Sequence, residues 1–160
     1  MAKDDFEQLP LFQGISGGQL EQLRSLCVPG DYYAGTVLFE QGDPALYFYL
    51  VLIGEVAIRY KPEDSQPILI TRIRTGGVVG WSAVIGRRRY TSAAVCTEDA
   101  RLLRIRGSDL QAFCAREPEI GRLLVDRLAQ VVAQRSEITH PQIMALLENG
   151  IRNGVHKEAK

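Results

Sequence analysis

The segment from Val79 to Val95, VGWSAVIGRRRYTSAAV, concentrates residue types that could hold an anion. It predicts a short helical turn, then a loop with three consecutive arginines, then the start of a strand. Backbone N–H groups at a helix start and guanidinium donors are both suited to phosphate-like groups. Because Trp81 stands inside this pattern, the segment predicts either a cradle for an anion or a cradle that an aromatic ring has filled.

Catalytic and metal chemistry have little support elsewhere in the chain. The two histidines, His140 and His156, lie in no recognisable nucleophile or metal-binding motif. Cys27, Cys96 and Cys114 are widely spaced and form no CxxC pair, so neither a disulfide framework nor a zinc site is indicated. We expect reduced, mostly buried thiols, no cofactor or metal, and a protein that is not an enzyme.

Composition points to one ordinary domain. The chain has 160 residues, of which 46% are apolar, which is enough for one core. Lysine plus arginine equals aspartate plus glutamate at 19 each, so no net field attracts nucleic acid or an anionic membrane. No window approaches the roughly 18 apolar residues of a membrane span, and the N-terminus MAKDDFEQ lacks a signal-peptide core. We therefore expect a cytoplasmic protein.

The part from Val28 to Ile105 shows short β-rich runs separated by turn residues, as in an antiparallel sandwich or barrel. Gly54 is expected in a tight turn, because glycine takes positive φ without steric cost. The predicted strands are Val28–Tyr33, Val37–Glu40, Phe48–Ile53, Glu55–Tyr60, Ile68–Arg74, Ser92–Cys96 and Ala100–Arg106.

Helical patterns flank this β-rich part. Residues 5–26 predict two short helices, the second capped by Ser16, with an apolar cluster at Phe6, Leu9, Leu11 and Phe12. After Ser108 the apolar spacing changes to about 3.6, which predicts a short helix and then a longer one from Pro118. A last helix, IMALLEN, is expected to end at Gly150, followed by a frayed polar tail.

The long predicted helix carries an apolar stripe that must be covered. Its members are Ile120, Leu123, Leu124, Leu128, Val131, Val132 and Ile138. The stripe could pack on its own barrel, or pair with a second copy at near-heptad positions. Those positions are Ile120, Leu124, Arg127, Val131 and Ile138. We expect the early turns on the barrel and the later ones at a homodimer seam; in the alternative, the last helix covers the stripe and leaves a monomer.

Three stretches together resemble a known family: LPLFQGISGGQLEQL, GTVLFEQGDPALYFYLVLIGEV, and VGWSAVIGRRRYTSAAV with the following ARLLRI. They are similar to the cyclic nucleotide-binding domain of the catabolite activator protein and of cyclic-AMP-dependent kinase regulatory subunits. The resemblance runs from about Leu9 to Ile138. It implies a mainly β fold, an eight-stranded antiparallel β-roll, jelly-roll-like, capped by N-terminal helices and a long C-terminal helix. This domain would occupy residues 1–138, with a short helical extension and tail at 139–160.

The resemblance also implies a ligand site in the segment that opened this section. In the family, the cyclic phosphate is held by the amides of a short helix and by one arginine, and a glutamate takes the ribose 2′-hydroxyl. The short helix would contain Gly80, Ser82 and Ala83, and the closing strand would contain Ser92, Ala93 and Val95. The candidate ligand-binding residues are Gly80, Trp81, Ser82, Ala83, Arg89, Thr91, Ser92 and Ala93.

Two positions depart from the family pattern. Trp81 stands in the place of the glutamate, and its indole N–H is only a donor; Thr91 stands in the place of the arginine and has no charge. Arg89 lies two residues before Thr91, so its guanidinium could reach the same space. Alternatively, Arg87, Arg88 and Arg89 are a solvated hairpin tip, and Trp81 either fills the core or stacks on a planar ligand.

These patterns leave competing functions. The chain is expected to be a ligand-sensing regulatory module, for a cyclic nucleotide or another anion, with altered or lost cyclic nucleotide affinity and an output protein as partner. The alternative is a ligand-free interaction module that uses the same β-roll. A DNA-binding transcription factor is the weakest hypothesis, since only about 20 residues follow Ile138, too few for a second core.

Overall fold

The computed structural model describes Phe6, residues 9–15, 17–62 and 66–133, Ala145 and residues 147–152. Several predictions lie outside these residues: the Ser16 cap, the long helix beyond Ala133 with Ile138, the polar tail, and the domain boundary at residue 138. The covering residues Ile143, Met144 and Leu146 of the alternative monomer lie outside them too.

Eight antiparallel strands form two four-stranded sheets, as predicted for a β-roll with flanking helices. The first sheet has the order β1-β8-β3-β6, and the second has the order β2-β7-β4-β5. The strands are β1 (Cys27–Tyr32), β2 (Val37–Phe39), β3 (Tyr47–Ile53), β4 (Val56–Tyr60), β5 (Ile68–Ile73), β6 (Val78–Val79), β7 (Ala93–Cys96) and β8 (Ala100–Arg106).

Strand β6 is the one that the sequence did not predict. Its two residues are too few to show alternation in the sequence. The strand forms because Tyr49 and Leu50 of β3 pair with it in an antiparallel ladder. Gly54 confirms the predicted tight turn: its φ is +100°, and a Cβ there would lie 2.7 Å from the Asp99 carbonyl oxygen. The remaining strand bounds agree with prediction to within one residue.

Alternation along the first sheet divides the interior into two cores, because successive strand residues face opposite sides. On β3, Phe48 and Leu50 pack against the helices, whereas Tyr49 and Val51 face the second sheet. The first core therefore joins sheet and helices, and the second fills the space between the sheets. Residues 79–95, called the ligand segment below, lie where the two cores meet, since Trp81 packs against the first core and Tyr90 belongs to the second.

Three α-helices have both ends described: α1 (Gly17–Leu26), α2 (Gly107–Arg116) and α3 (Pro118–Ala133). A 3₁₀ turn at Pro10–Phe12 precedes α1, and residues 147–152 are also helical. The early turns of α3 are buried on their own chain, as predicted. Leu124 is wrong as a seam residue, because it is 2% exposed within the first core. Arg127 is also used within the chain, where its Nη1 donates to the carbonyls of Pro10 (2.9 Å) and Gln13 (2.6 Å).

The last predicted helix extends past its expected end. Ile151 and Arg152 are helical, so Gly150 does not terminate the helix. The physical reason for this glycine is a close approach: a Cβ on it would lie 2.3 Å from the Cα of Ile85. Among the described residues, no helix has the length and hydropathy needed to cross a membrane.

The three thiols are free, and two of them, Cys96 and Cys114, are buried. Burial raises the pKa of Cys27 and of Cys114 to about 12. Both side chains therefore stay protonated at neutral pH and act as small apolar groups rather than nucleophiles.

Candidate functional site

The candidate site begins at Gly80, which leads strand β6 into a single 3₁₀ turn, Trp81–Ala83. Gly80 has φ +80°, in the left-handed region that favours glycine. A Cβ on Gly80 would lie 3.1 Å from both the Phe39 ring and the Tyr47 carbonyl oxygen. Glycine is therefore required here for its backbone conformation and for the space it leaves.

Three backbone amides at the end of this turn donate to carbonyls at its start. The N–H of Ala83 donates to Gly80 O at 3.1 Å, and the N–H groups of Val84 and Ile85 both donate to Trp81 O, at 2.9 and 3.3 Å. These donors are not available to a phosphate. The predicted short helical turn is therefore present as a single 3₁₀ turn.

A cavity of about 220 Å³ lies beside this turn, between the second sheet and the end of α3. Aromatic side chains from three segments form part of its wall: Phe39, Trp81 and Tyr90. Aliphatic side chains of β4 to β6 form most of the rest. Of the described residues that line it, none carries a charge.

Five of the eight candidate ligand residues line this cavity, namely Gly80, Trp81, Ser82, Thr91 and Ser92. The departures at positions 81 and 91 therefore fall inside one cavity, as the resemblance implies. The sequence placed them together only by analogy, because ten residues separate them.

The other three candidates lie elsewhere. Ala83 is buried beneath α2, where a Cβ on Gly107 would lie 2.3 Å from the Ala83 carbonyl oxygen. Ala93 lines a separate concavity on the outer face of the second sheet, because its neighbour Ala94 faces inward. Arg89 lies outside the described cavity lining, and its Nη1 donates to the Gly42 carbonyl at 2.6 Å.

Tyr90 is a wall residue that the sequence analysis missed. Its ring stacks on Phe39 at 3.6 Å between centroids, its hydroxyl donates to the Tyr47 carbonyl, and it accepts from the Tyr47 N–H at 3.0 Å. Burial raises its pKa, so the hydroxyl stays protonated.

Val131 and Val132, in the last described turn of α3, close another side of the cavity. The sequence assigned them only to the apolar stripe. No local pattern could have found this contact, since about forty residues separate them from the ligand segment.

The most buried carboxylate in the described chain lies outside this cavity. Glu55 is 7% exposed, accepts from Thr97 Oγ1 at 2.9 Å, and pairs with Arg74 Nε at 2.8 Å and Arg72 Nε at 3.5 Å. The Thr97 hydrogen bond, followed by that of Arg74, lowers the Glu55 pKa. This cluster stabilises the turn between β3 and β4 and supplies no charge to the cavity.

Comparison with known proteins supports the family by a sequence match and the fold by a structural superposition. The family description "Cyclic nucleotide-binding domain" matches residues 30–117, just over half of the chain. A crystal structure of a cyclic nucleotide-binding domain from Methylobacillus flagellatus superposes with a TM-score of 0.73 at 20% identity, covering 82% of this chain and 76% of that one. At that identity the superposition supports the fold alone.

Two curated relatives are longer proteins. A Rhodopseudomonas palustris protein named "Putative potassium channel protein" is 32% identical over 129 residues, 81% of this chain and 30% of its own length. A Mycobacterium tuberculosis CRP-like cAMP-activated global transcriptional regulator is 24% identical over 148 residues, 92% of this chain and 64% of its own length. The chain thus spans less than two thirds of each relative.

Proposed function

Because the chain belongs to the cyclic nucleotide-binding domain family, we propose that it is a ligand-sensing regulatory module, not an enzyme, whose cassette has lost tight affinity for cyclic nucleotides. The observation that carries this proposal is the uncharged lining of the cavity that holds Trp81 and Thr91. A cyclic phosphate placed there would be desolvated without a cation among the described lining residues. Such burial is unfavourable.

The expected loss of affinity can be bounded. A charge-assisted hydrogen bond to the phosphate contributes about 1.5–3 kcal/mol, and a ribose hydroxyl left without its acceptor costs about 1–3 kcal/mol. Together these correspond to roughly a hundredfold to ten-thousandfold weaker binding. Arg89 supports the proposal, since its guanidinium donates to Gly42 rather than lining the cavity.

Isothermal titration calorimetry with cyclic AMP and cyclic GMP, at tens of micromolar protein, tests the proposal. We expect weak binding or none. The double variant Trp81→Glu and Thr91→Arg restores an acceptor and a cation, so it should gain affinity for both nucleotides. Sub-micromolar binding of cyclic AMP by the unmodified protein would refute the proposed loss.

A second candidate function is a ligand-free interaction module. Strand β5 is an edge strand, and its consecutive residues Ile68, Leu69 and Ile70 are 50%, 47% and 57% exposed. An edge strand with exposed apolar residues is a template for pairing with another chain. This function is favoured over ligand sensing if no small molecule binds and the double variant, while folded, gains nothing.

A homodimer through the later turns of α3 also remains part of the proposal. Val131 packs against the first core at the described end of α3 but is only partly buried there. Val131→Glu should therefore give a folded monomer, whereas it should unfold the protein if its own chain encloses Val131. Sedimentation of the unmodified protein as a monomer at high concentration would exclude the dimer.

A further inference from the structure

Three hydroxyls of the cavity lining have no hydrogen-bond partner among the described residues. Ser82, Thr91 and Ser92 all line the cavity, and none of their hydroxyls makes a hydrogen bond to another described residue. Ser82 and Ser92 are partly buried and Thr91 is exposed, so these groups lie toward the mouth. A hydroxyl can both donate and accept, so this edge suits a neutral polar group as well as water.

Apart from Thr71, the Tyr90 hydroxyl and the Trp81 indole N–H, the other described side chains of the lining are apolar. Phe39 and Tyr90 stack on one side, and Val131 and Val132 close another. An apolar cavity of about 150 Å³ in a protein interior stays dry and accepts benzene, so a space of about 220 Å³ is large enough for a somewhat larger molecule. It lies below the roughly 300–1,000 Å³ of sites for drug-sized ligands.

The Arg89 guanidinium is held outside the described cavity lining. Arg89 immediately precedes the wall residue Tyr90 in the chain. Its side chain nevertheless donates to the Gly42 carbonyl, and its backbone pairs with Pro44. An anion in the cavity would therefore lose its hydration without gaining a countercharge from the described lining. A neutral molecule would lose much less.

From this geometry we propose that the cavity binds a small, uncharged, mainly apolar molecule whose single polar group is held by the hydroxyls of Ser82, Thr91 and Ser92. The inference rests on the proposed ligand-sensing function and specifies the class of ligand. A bound molecule would touch the last described turn of α3 directly, through Val131 and Val132. Occupancy would thus act on the last described turn of α3.

The test uses a matched pair of probes, hexanol and hexanoate, which differ in the charge of the polar end. Trp81 is the single tryptophan of the chain and lines the cavity, so its fluorescence reports binding at this site. We expect hexanol to change the Trp81 emission and to bind at least about tenfold more tightly than hexanoate. Equal or tighter binding of hexanoate would overturn the proposal.

Thr91→Arg supplies the missing cation at an exposed position, where the longer side chain can be accommodated. Hexanoate should then gain about tenfold or more in affinity, because a guanidinium pairs with a carboxylate. An unchanged preference in the folded variant would show that position 91 does not reach the bound polar group, against the proposal.

Two variants of α3 locate the binding. Val132→Phe should fill the cavity and abolish the hexanol response, whereas Gln130→Phe, at an exposed position of the same turn, should leave it unchanged. Hexanol binding that survives Val132→Phe would place the molecule elsewhere and overturn the assignment. Far-ultraviolet circular dichroism of both variants checks that each is folded.

The outcomes separate this inference from the function on which it rests. Tight cyclic AMP binding by the unmodified protein refutes the lost affinity, whatever hexanol does. Failure of both cyclic AMP and hexanol leaves the lost affinity standing, refutes the neutral-ligand site, and favours the interaction module.

Discussion

The segment from Gly80 to Ser92 has two sides that are built differently. One side borders the cavity through Trp81, Ser82, Thr91 and Ser92. The other side is packed backbone against backbone, with Ala83 under Gly107 and Ile85 under Gly150. The first side leaves space that different side chains can fill, and the second leaves none. Substitutions on the first side should therefore change ligand binding, and those on the second should change folding.

Gln111 fixes the packed side. It is 5% exposed, and its Nε2 donates to the carbonyls of Val84 at 2.8 Å and Gly150 at 3.2 Å. One buried amide thus joins α2, the ligand segment and the last described helix.

The largest expected effect is that of Gly150→Ala on the packed side. The new Cβ would lie 2.3 to 2.5 Å from backbone atoms of Ile85, which cannot move as a flexible side chain could. Overpacking of this kind costs about 1–3 kcal/mol or more, and thermal unfolding should shift down by several degrees.

Gly18→Ala is the matched control for that substitution. Gly18 lies in α1 with no atom within 4 Å of a built Cβ, so alanine should leave stability equal or raise it by about 0.4–1 kcal/mol. If Gly150→Ala were as harmless as Gly18→Ala, the two sides of the segment would not differ in the way described.

Gln111→Leu should have the next largest effect. The substitution leaves two buried carbonyls without their donor, at a cost of about 1–3 kcal/mol in the free energy of unfolding. Gln130→Leu removes an exposed bond to Asp126 Oδ2 on α3 and should cost less than about 0.5 kcal/mol. Chemical denaturation of both variants measures the difference, and equal losses would argue against the bridging role of Gln111.

Local patterns predicted most of the fold and only part of the site. Short β-rich runs between turn residues located seven strands, because each of these strands runs for at least three residues. The same reasoning misassigned Gly150 as a helix end, because a glycine needed for a close approach and one needed to stop a helix look alike in sequence. Val131 and Val132 could not be placed at the cavity, since that contact depends on where the whole of α3 docks.

Tyr90→Phe should have a smaller effect, on the cavity side. The stack on Phe39 is kept, while the hydroxyl and its bonds to the Tyr47 carbonyl and N–H are lost. A net loss of about 0.5–1.5 kcal/mol is expected for the bonds removed. Chemical denaturation measures that loss. A larger cost than for Gly150→Ala would reverse the comparison and make the cavity side the structural one.

The smallest expected effect is the loss of folding stability at acid pH that comes from Glu55, a residue outside the segment from Gly80 to Ser92. Its pKa is lowered in the folded protein from an ordinary value of 4.5, chiefly by the Thr97 hydrogen bond and then by Arg74. The folded state therefore binds this proton less readily than the unfolded state. The contribution of Glu55 to stability is present above pH 4.5 and is lost as the pH falls through the lowered value. Since Arg72 and Arg74 are largely exposed, solvent screens the pairs and the contribution is small.

Denaturation curves between pH 7 and pH 3 should show that Glu55→Gln removes part of the acid sensitivity. The stability difference between Gly150→Ala and Tyr90→Phe should stay constant over the same range, because neither substitution alters the Glu55 cluster. A difference that changed with pH would mean that the two sides of the segment are coupled to Glu55 after all.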